Sequence, residues 1–210
     1  MKKGDYGYLN AYRKKHLIAT CIYLAIILGM VLFAKFLVHD ITAALKDTAS
    51  DPTQWQKAGS YLGIGLYMLA AVLSLPAAKH FVAFFMVFRY HTMDRQQAEQ
   101  LEQVTKSLNG GITLYDVTLS SSEYISYVPF LFMYQNKLYC LVQVTSKYSV
   151  DDVKKYLNKI ISGQLTVFAF QKEEDLLRRL KDIVAQKQPS DEKEEKRLQR
   201  LKDQILVYSV

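Results

Sequence analysis

Two long apolar runs occupy most of residues 17 to 88, and finer apolar–polar patterns fill the rest of the chain. Leu17 to Ala34 holds no charged residue, and the apolar character continues past Lys35 to Val38. A helix rises roughly 1.5 Å per residue, so about 20 residues cross a hydrocarbon core of about 30 Å. The pattern therefore predicts a spanning helix over 17–38, with Lys35 near enough to the far end to extend outward. The run is longer than the ~7–15 residue core of a signal peptide. Thr42-Ala43-Ala44 is also a poor cleavage site. The first run reads as an uncleaved anchor.

The second run, 58–78, is equally free of charge and ends near Pro76, ahead of Lys79 and His80. Phe81 to Phe88 is apolar again, up to Arg89. One straight span over 58–88 is too long for a bilayer, and a span centred on Lys79 costs ~2.5–3.5 kcal/mol for the charge. The expectation is a span that ends near Pro76, a bend there, and an interfacial segment 79–91 with Lys79 and Arg89 at lipid phosphates. A single long tilted helix kinked at Pro76 is the alternative.

From residue 92 the periods shorten. Ala98, Leu101, Val104 and Leu108 recur at helical spacing over 92–108, and Asn109-Gly110-Gly111 stops the helix. Residues 112–119, 124–134 and 138–145 read as strands, the last two joined at Gln135-Asn136-Lys137 as a hairpin. Pro129 cannot donate to a ladder, so its strand is an edge or is bulged there. Ser149-Val150-Asp151-Asp152 is a capping-box-like start for a helix over 149–162 that Gly163 closes. A strand over 165–170 follows, then a helix opened by Glu173-Glu174-Asp175 and ended by Pro189. Ser190 to Asp203 reads as a solvated helix and 205–210 as a strand returning to the sheet. The predicted architecture is a two-helix membrane hairpin, 1–91, plus a cytosolic α+β domain, 92–210. That domain has a mixed sheet flanked by helices, in the order α-β-β-β-α-β-α-α-β.

Charge sets the orientation. The first sixteen residues carry Lys2, Lys3, Arg13, Lys14 and Lys15 against Asp5. The segment 39–57 carries Lys46 and Lys57 against Asp40, Asp47 and Asp51, and Lys79, Arg89 and Arg95 follow the second run. The excess of Lys and Arg flanking the runs predicts both chain ends in the cytoplasm of a multi-pass cell-membrane protein, with a short external loop around Trp55. A net charge of +7 with half the residues hydrophobic is thus explained by anionic lipid, with Arg13, Lys14, Lys15, Lys79 and Arg89 as the contacts. Nucleic acid is the weaker partner, reached through Lys147, Lys154 and Lys155. The bilayer is the first partner, and a protein partner or a second copy the next.

Candidate chemistry is sparse. Cys21 and Cys140 lie in different segments and form no CxxC, and His16, His39, His80 and His91 all flank apolar runs as interfacial polar groups. No GxGxxG or GxxxxGK[ST] occurs. Beyond His91 there is no histidine to serve Ser120, Ser121 or Ser122. The acid pairs Asp151/Asp152 and Glu173/Glu174 sit at helix starts, where capping accounts for them. No cofactor is implied. The strand with Tyr124, Tyr127, Phe130, Phe132 and Tyr134 is read first as core, with a protein-binding face through Tyr124, Tyr127 and Phe132 as the alternative.

The α-β-β-β-α-β order of residues 92–170 resembles the restriction-endonuclease-like fold, including the nuclease-related domains of some bacterial membrane proteins, and the whole chain resembles two-span bacterial membrane proteins. The resemblance implies an Asp on the second strand and a Glu-x-Lys on the third, holding a catalytic metal. The matching positions hold Pro129 or Phe130, Gln143 and Thr145, and no acid occurs between Tyr124 and Val150. Asp116 and Glu123 are the only nearby acids for a displaced site. Three functions stay open: a non-enzymatic interaction or assembly module, a degenerate nuclease-like domain that binds nucleic acid without cutting it, and an enzyme with an unrecognised site.

Overall fold

The computed structural model describes residues 1–48, 52–121, 125–186 and 192–209. It divides into two compact units: Met1–Ala11 with Arg89–Val210, and Tyr12–Phe88.

Two helices carry the apolar runs, α1 (Tyr8–Thr48) and α2 (Pro52–Val87). Within them, Tyr8–Phe36 and Tyr61–Val87 are long and apolar enough to cross a membrane, with only 11% and 17% of their most apolar windows buried. Both helices extend into the segment read as the short loop 39–57. From Phe36 to Thr48 no glycine or proline interrupts α1, and Ala43, Ala44 and Leu45 favour helix. The helix α2 also continues through Pro76 instead of ending there. Proline costs about 3 kcal/mol in a helix interior, yet apolar, helix-compatible residues continue on its far side to Val87. The small residues Thr20, Ala34, Ala70 and Ala77 are buried in this unit.

The other unit is built on a four-stranded sheet: β1 (Ile112–Ser120), β2 (Ile125–Tyr134), β3 (Lys137–Gln143) and β4 (Thr166–Phe170). The strand order is β1-β2-β3-β4, antiparallel for the first two pairs and parallel for β3 with β4. The parallel pair is joined through α4 (Val150–Ile160), since parallel neighbours need a crossover. The predicted capping box is present: Ser149 Oγ accepts from Asp152 N, and the Asp152 carboxylate accepts from Ser149 N. Three further helices complete the unit: α3 (Arg95–Lys106), α5 (Glu173–Ala185) and α6 (Glu192–Val207).

One face of the sheet meets α4 and α6 in a core that includes Leu114, Leu131, Cys140, Leu157, Leu198, Leu201 and Ile205. The other meets α3 and α5 through Tyr115, Phe130, Phe132, Tyr139, Leu101, Leu176 and Leu180. Strand β2 is therefore covered on both sides. Pro129 does mark a bulge: the register between β2 and β3 shifts between Tyr127 and Phe130. Since β2 has neighbours on both sides, the edge alternative falls.

Among the described residues, 205–209 do not form the predicted returning strand. Helix α6 runs to Val207, and only Ser209 forms a bridge, to Leu119 of β1. Leu198, Leu201 and Ile205 repeat at helical spacing and are all buried, so the helical face continues to bury apolar area where a strand would turn half of it outward. The first eleven residues, grouped from sequence with the anchor, pack with the α/β unit. Leu9 is 2% exposed, and Gly4 O accepts from Tyr115 N at 2.8 Å along the outer edge of β1.

Candidate functional site

Asp116 is the most unusual residue of the sheet. It is 3% exposed and has φ of +53°, a left-handed conformation that Asp tolerates better than branched residues. It stands opposite Pro129, between the ladder pairs Tyr115–Phe130 and Val117–Val128. Proline offers no N–H to the ladder, so the two irregular residues coincide. The alternation of faces slips there. Ile112 and Leu114 enter one core, Tyr115 the other, and Val117 and Leu119 return to the first.

The Asp116 carboxylate collects donors from three parts of the chain. Tyr127 Oη of β2 donates to Oδ1 at 2.6 Å. Thr92 Oγ1 donates to Oδ2 at 3.1 Å and Leu9 N at 3.3 Å. Gly7 N is a fourth donor. Burial raises the pKa of Asp116, and the donors draw it back without cancelling the rise. Tyr127 is pushed well up as well, first by burial and then by the adjacent carboxylate. Tyr90 stacks on Tyr127 with ring centroids 5.3 Å apart, and its hydroxyl donates to Ile125 O at 2.6 Å. Nearby, Tyr6 Oη donates to Met93 O at 3.0 Å. The cluster thus fastens residues 6–9 and 90–93, the two stretches through which the chain leaves and re-enters this unit, to β1. Every group on Asp116 donates, which suits an ionised carboxylate acting as a clamp.

Asp116, one of the two acids named for a displaced metal site, is engaged within its own chain. Its oxygens are committed to these donors, and the described residues contain no group of three His, Cys, Asp or Glu able to hold a metal. Glu123 and Tyr124 lie outside the described residues. At the positions the nuclease resemblance would use, Phe130 is buried, Gln143 is an exposed strand end whose carbonyl accepts from Tyr148 Oη, and Thr145 Oγ1 accepts from Lys147 N.

For Tyr127 and Phe132 the packing agrees with the core reading and not with the partner face. Tyr127 and Phe132 are 0% and 1% exposed, because β2 is a central strand between two helical layers. The near-continuous apolar character of that stretch, rather than its aromatics, was the signal for burial on both faces. Lys147, Lys154 and Lys155 are exposed. Lys154 and Lys155 share α4 with Asp151 and Asp152, so its surface is of mixed sign. Of the lipid-contact residues, Lys14, Lys15, Lys79 and Arg89 are exposed and Arg13 half-buried.

Two features escaped the sequence reading. In the helical unit, His16 and His80 meet with Nδ1 to Nδ1 at 2.9 Å, and Tyr23 stacks on His80. Each histidine directly follows a lysine at a run boundary, which was the available hint. In the α/β unit a surface cleft of about 560 Å³ lies between the end of α3, Gly110-Gly111, Tyr6 and Tyr115. Its charged pair, Glu102 and Lys106, is closed on itself at 2.9 Å. The Tyr115 hydroxyl is sealed inside without a protein partner, and burial, with Glu102 nearby, raises its pKa to about 12. Comparison with protein-family models, curated proteins and solved structures returns no match to this chain.

Proposed function

We propose that the chain is a membrane-anchored protein whose α/β unit works at the cytosolic surface as a binding or assembly module. One observation carries the membrane reading: the outward faces of the two long helices. Along α1, Ile18, Ile22, Leu24, Leu28, Leu32, Phe33 and Phe36 are each more than half exposed. Along α2 the same holds for Leu62, Met68, Val72, Leu75, Phe81, Val82 and Phe85. Leaving one such side chain in water forgoes about 1.5–3 kcal/mol, so fourteen of them favour an apolar solvent. The two runs fit a bilayer by length, and the surplus of Lys and Arg at residues 2–15 and 79–95 supports cytosolic ends.

The non-enzymatic half of the proposal is supported by how the charged groups nearest to a site are used. Asp116, the deeply buried carboxylate of the sheet, is occupied by its own chain, and the cleft's ion pair is self-contained. A second copy or a protein partner is the proposed ligand class, met on a surface other than β2. Likeness to the nuclease-related fold rests on element order. With Pro129, Phe130, Gln143 and Thr145 where its metal ligands would be, we propose no cleavage of nucleic acid.

The test is topological. Reporters fused at residues 1 and 210 should both read cytoplasmic, and one inserted after Thr48 external. A C-terminal reporter that reads external would overturn the assignment.

A further inference from the structure

The α/β unit has one end where apolar and basic groups are exposed together. The last turn of α6 leaves Val207 77% exposed and Tyr208 49% exposed. Tyr208 O accepts from Ser120 N, Lys3 Nζ donates to Ser209 O at 2.7 Å, and Gly4 lies beside Leu206, so residues 3 and 4 lie against this turn. Lys2, Lys3 and Arg89 are exposed, as are the acids Asp5 and Asp203, the latter one helical turn before Val207. Ser120 pairs with Ile125 at the end of the β1–β2 ladder. Ile125 O is held by Tyr90, the residue after Arg89. The exposed turn therefore occupies the end of the unit at which the chain arrives from α2.

We propose that this end is a lipid-contact surface of the α/β unit itself. Val207 and the Tyr208 ring enter the headgroup boundary of the bilayer, and Lys2, Lys3 and Arg89 meet anionic phosphates. The chemistry fits this boundary. Tyrosine has an apolar ring and a polar tip suited to the interface, and lysine spreads its stem over apolar surface while its ammonium stays hydrated. An anionic surface strengthens attachment about five-fold per nearby lysine. Arg89 opens the unit two residues after the candidate span Tyr61–Val87, so the proposal rests on the membrane reading. The unit is thereby docked on the membrane as well as tethered to it.

The experiment uses the full chain in bilayer discs enriched in phosphatidylserine, carrying lipids brominated either near the headgroup or deep in the acyl chain. Trp55, the only tryptophan, is changed to Phe, and a single reporter is placed by Tyr208→Trp or, separately, Leu69→Trp. The Tyr208→Trp reporter should lose most of its emission to shallow bromines, and the Leu69→Trp reporter to deep ones. Lys2→Glu, which removes no hydrogen bond of the lysine side chain described here, should weaken the shallow quenching, and so should discs of zwitterionic lipid. Quenching at 69 without quenching at 208 would overturn the lipid contact and leave the anchor intact. Absence of quenching at both would overturn the anchor and the contact together. Shallow quenching that ignores both Lys2→Glu and lipid charge would overturn the part given to the basic residues.

Discussion

Asp116 shows how much one side chain can organise. Replacing it with Ala leaves the Tyr127 hydroxyl, the Thr92 hydroxyl and the Leu9 and Gly7 amides without their acceptor. Each abandoned buried donor costs about 1–3 kcal/mol. The left-handed φ also suits Ala poorly. Asp116→Ala should therefore lower stability by at least about 2–4 kcal/mol, and Tyr127→Phe by about 1.5–3 kcal/mol, the range for a hydrogen bond to a charged group. A convenient readout is Cys140, which is fully buried with its pKa raised to about 12 by that burial. In a Cys21→Ser background it should react with thiol reagents only as the sheet opens. The sign of the pH effect follows from the raised pKa. The folded state holds the Asp116 proton to higher pH than the unfolded state does, so stability falls as pH rises from the ordinary aspartate range through the raised folded value. Asp116→Asn should lose that slope. An unchanged slope in Asp116→Asn would show that another group titrates there.

Among the elements, most boundaries follow directly from periodicity and punctuation. Ser149 with Asp152 fixes the start of α4, and Gly163, at φ of +68°, follows its end. The misreadings came where two periods fit the same residues. Ile205-Leu206-Val207-Tyr208 looks strand-like in isolation, and only the longer window with Leu198 and Leu201 reveals the helix. Local β-propensity lost to the area that α6 buries against the sheet. The two alternatives differ in what they bury. As a helix, Ile205→Ala should cost about 2–5 kcal/mol, because it empties a core position, while Val207→Ala should stay within about 0.5 kcal/mol. A strand would put residues 205 and 207 on one face and make both changes costly. Denaturation midpoints of the two variants, followed by circular dichroism in detergent, separate the cases.

For the whole molecule, the apolar runs and the mixed α/β domain were legible in the sequence, whereas the contacts that tie residues 2–9 to the sheet were not. Lys3 and Ser209 are separated by 206 positions, and Asp116 meets Leu9 across 107, so no local window contains either pair. The long-range network also predicts how the domain behaves when cut away. A chain reduced to residues 92–210 loses Gly4 from the edge of β1, Tyr90 from Tyr127, and the Leu9 and Gly7 donors from Asp116. It should melt earlier than the α/β unit of the full chain and associate through the bared strand. Sedimentation showing a monomer with an undiminished melting midpoint would refute this. The same arrangement carries a consequence for the order of folding. Along its outer edge β1 meets residue 4 at one point and residues 208 and 209 at another, and Lys3 and Ser209 are 206 positions apart. Closing so long a loop is entropically costly, so the edge of the sheet is sealed late, after the local hairpins and helices have formed.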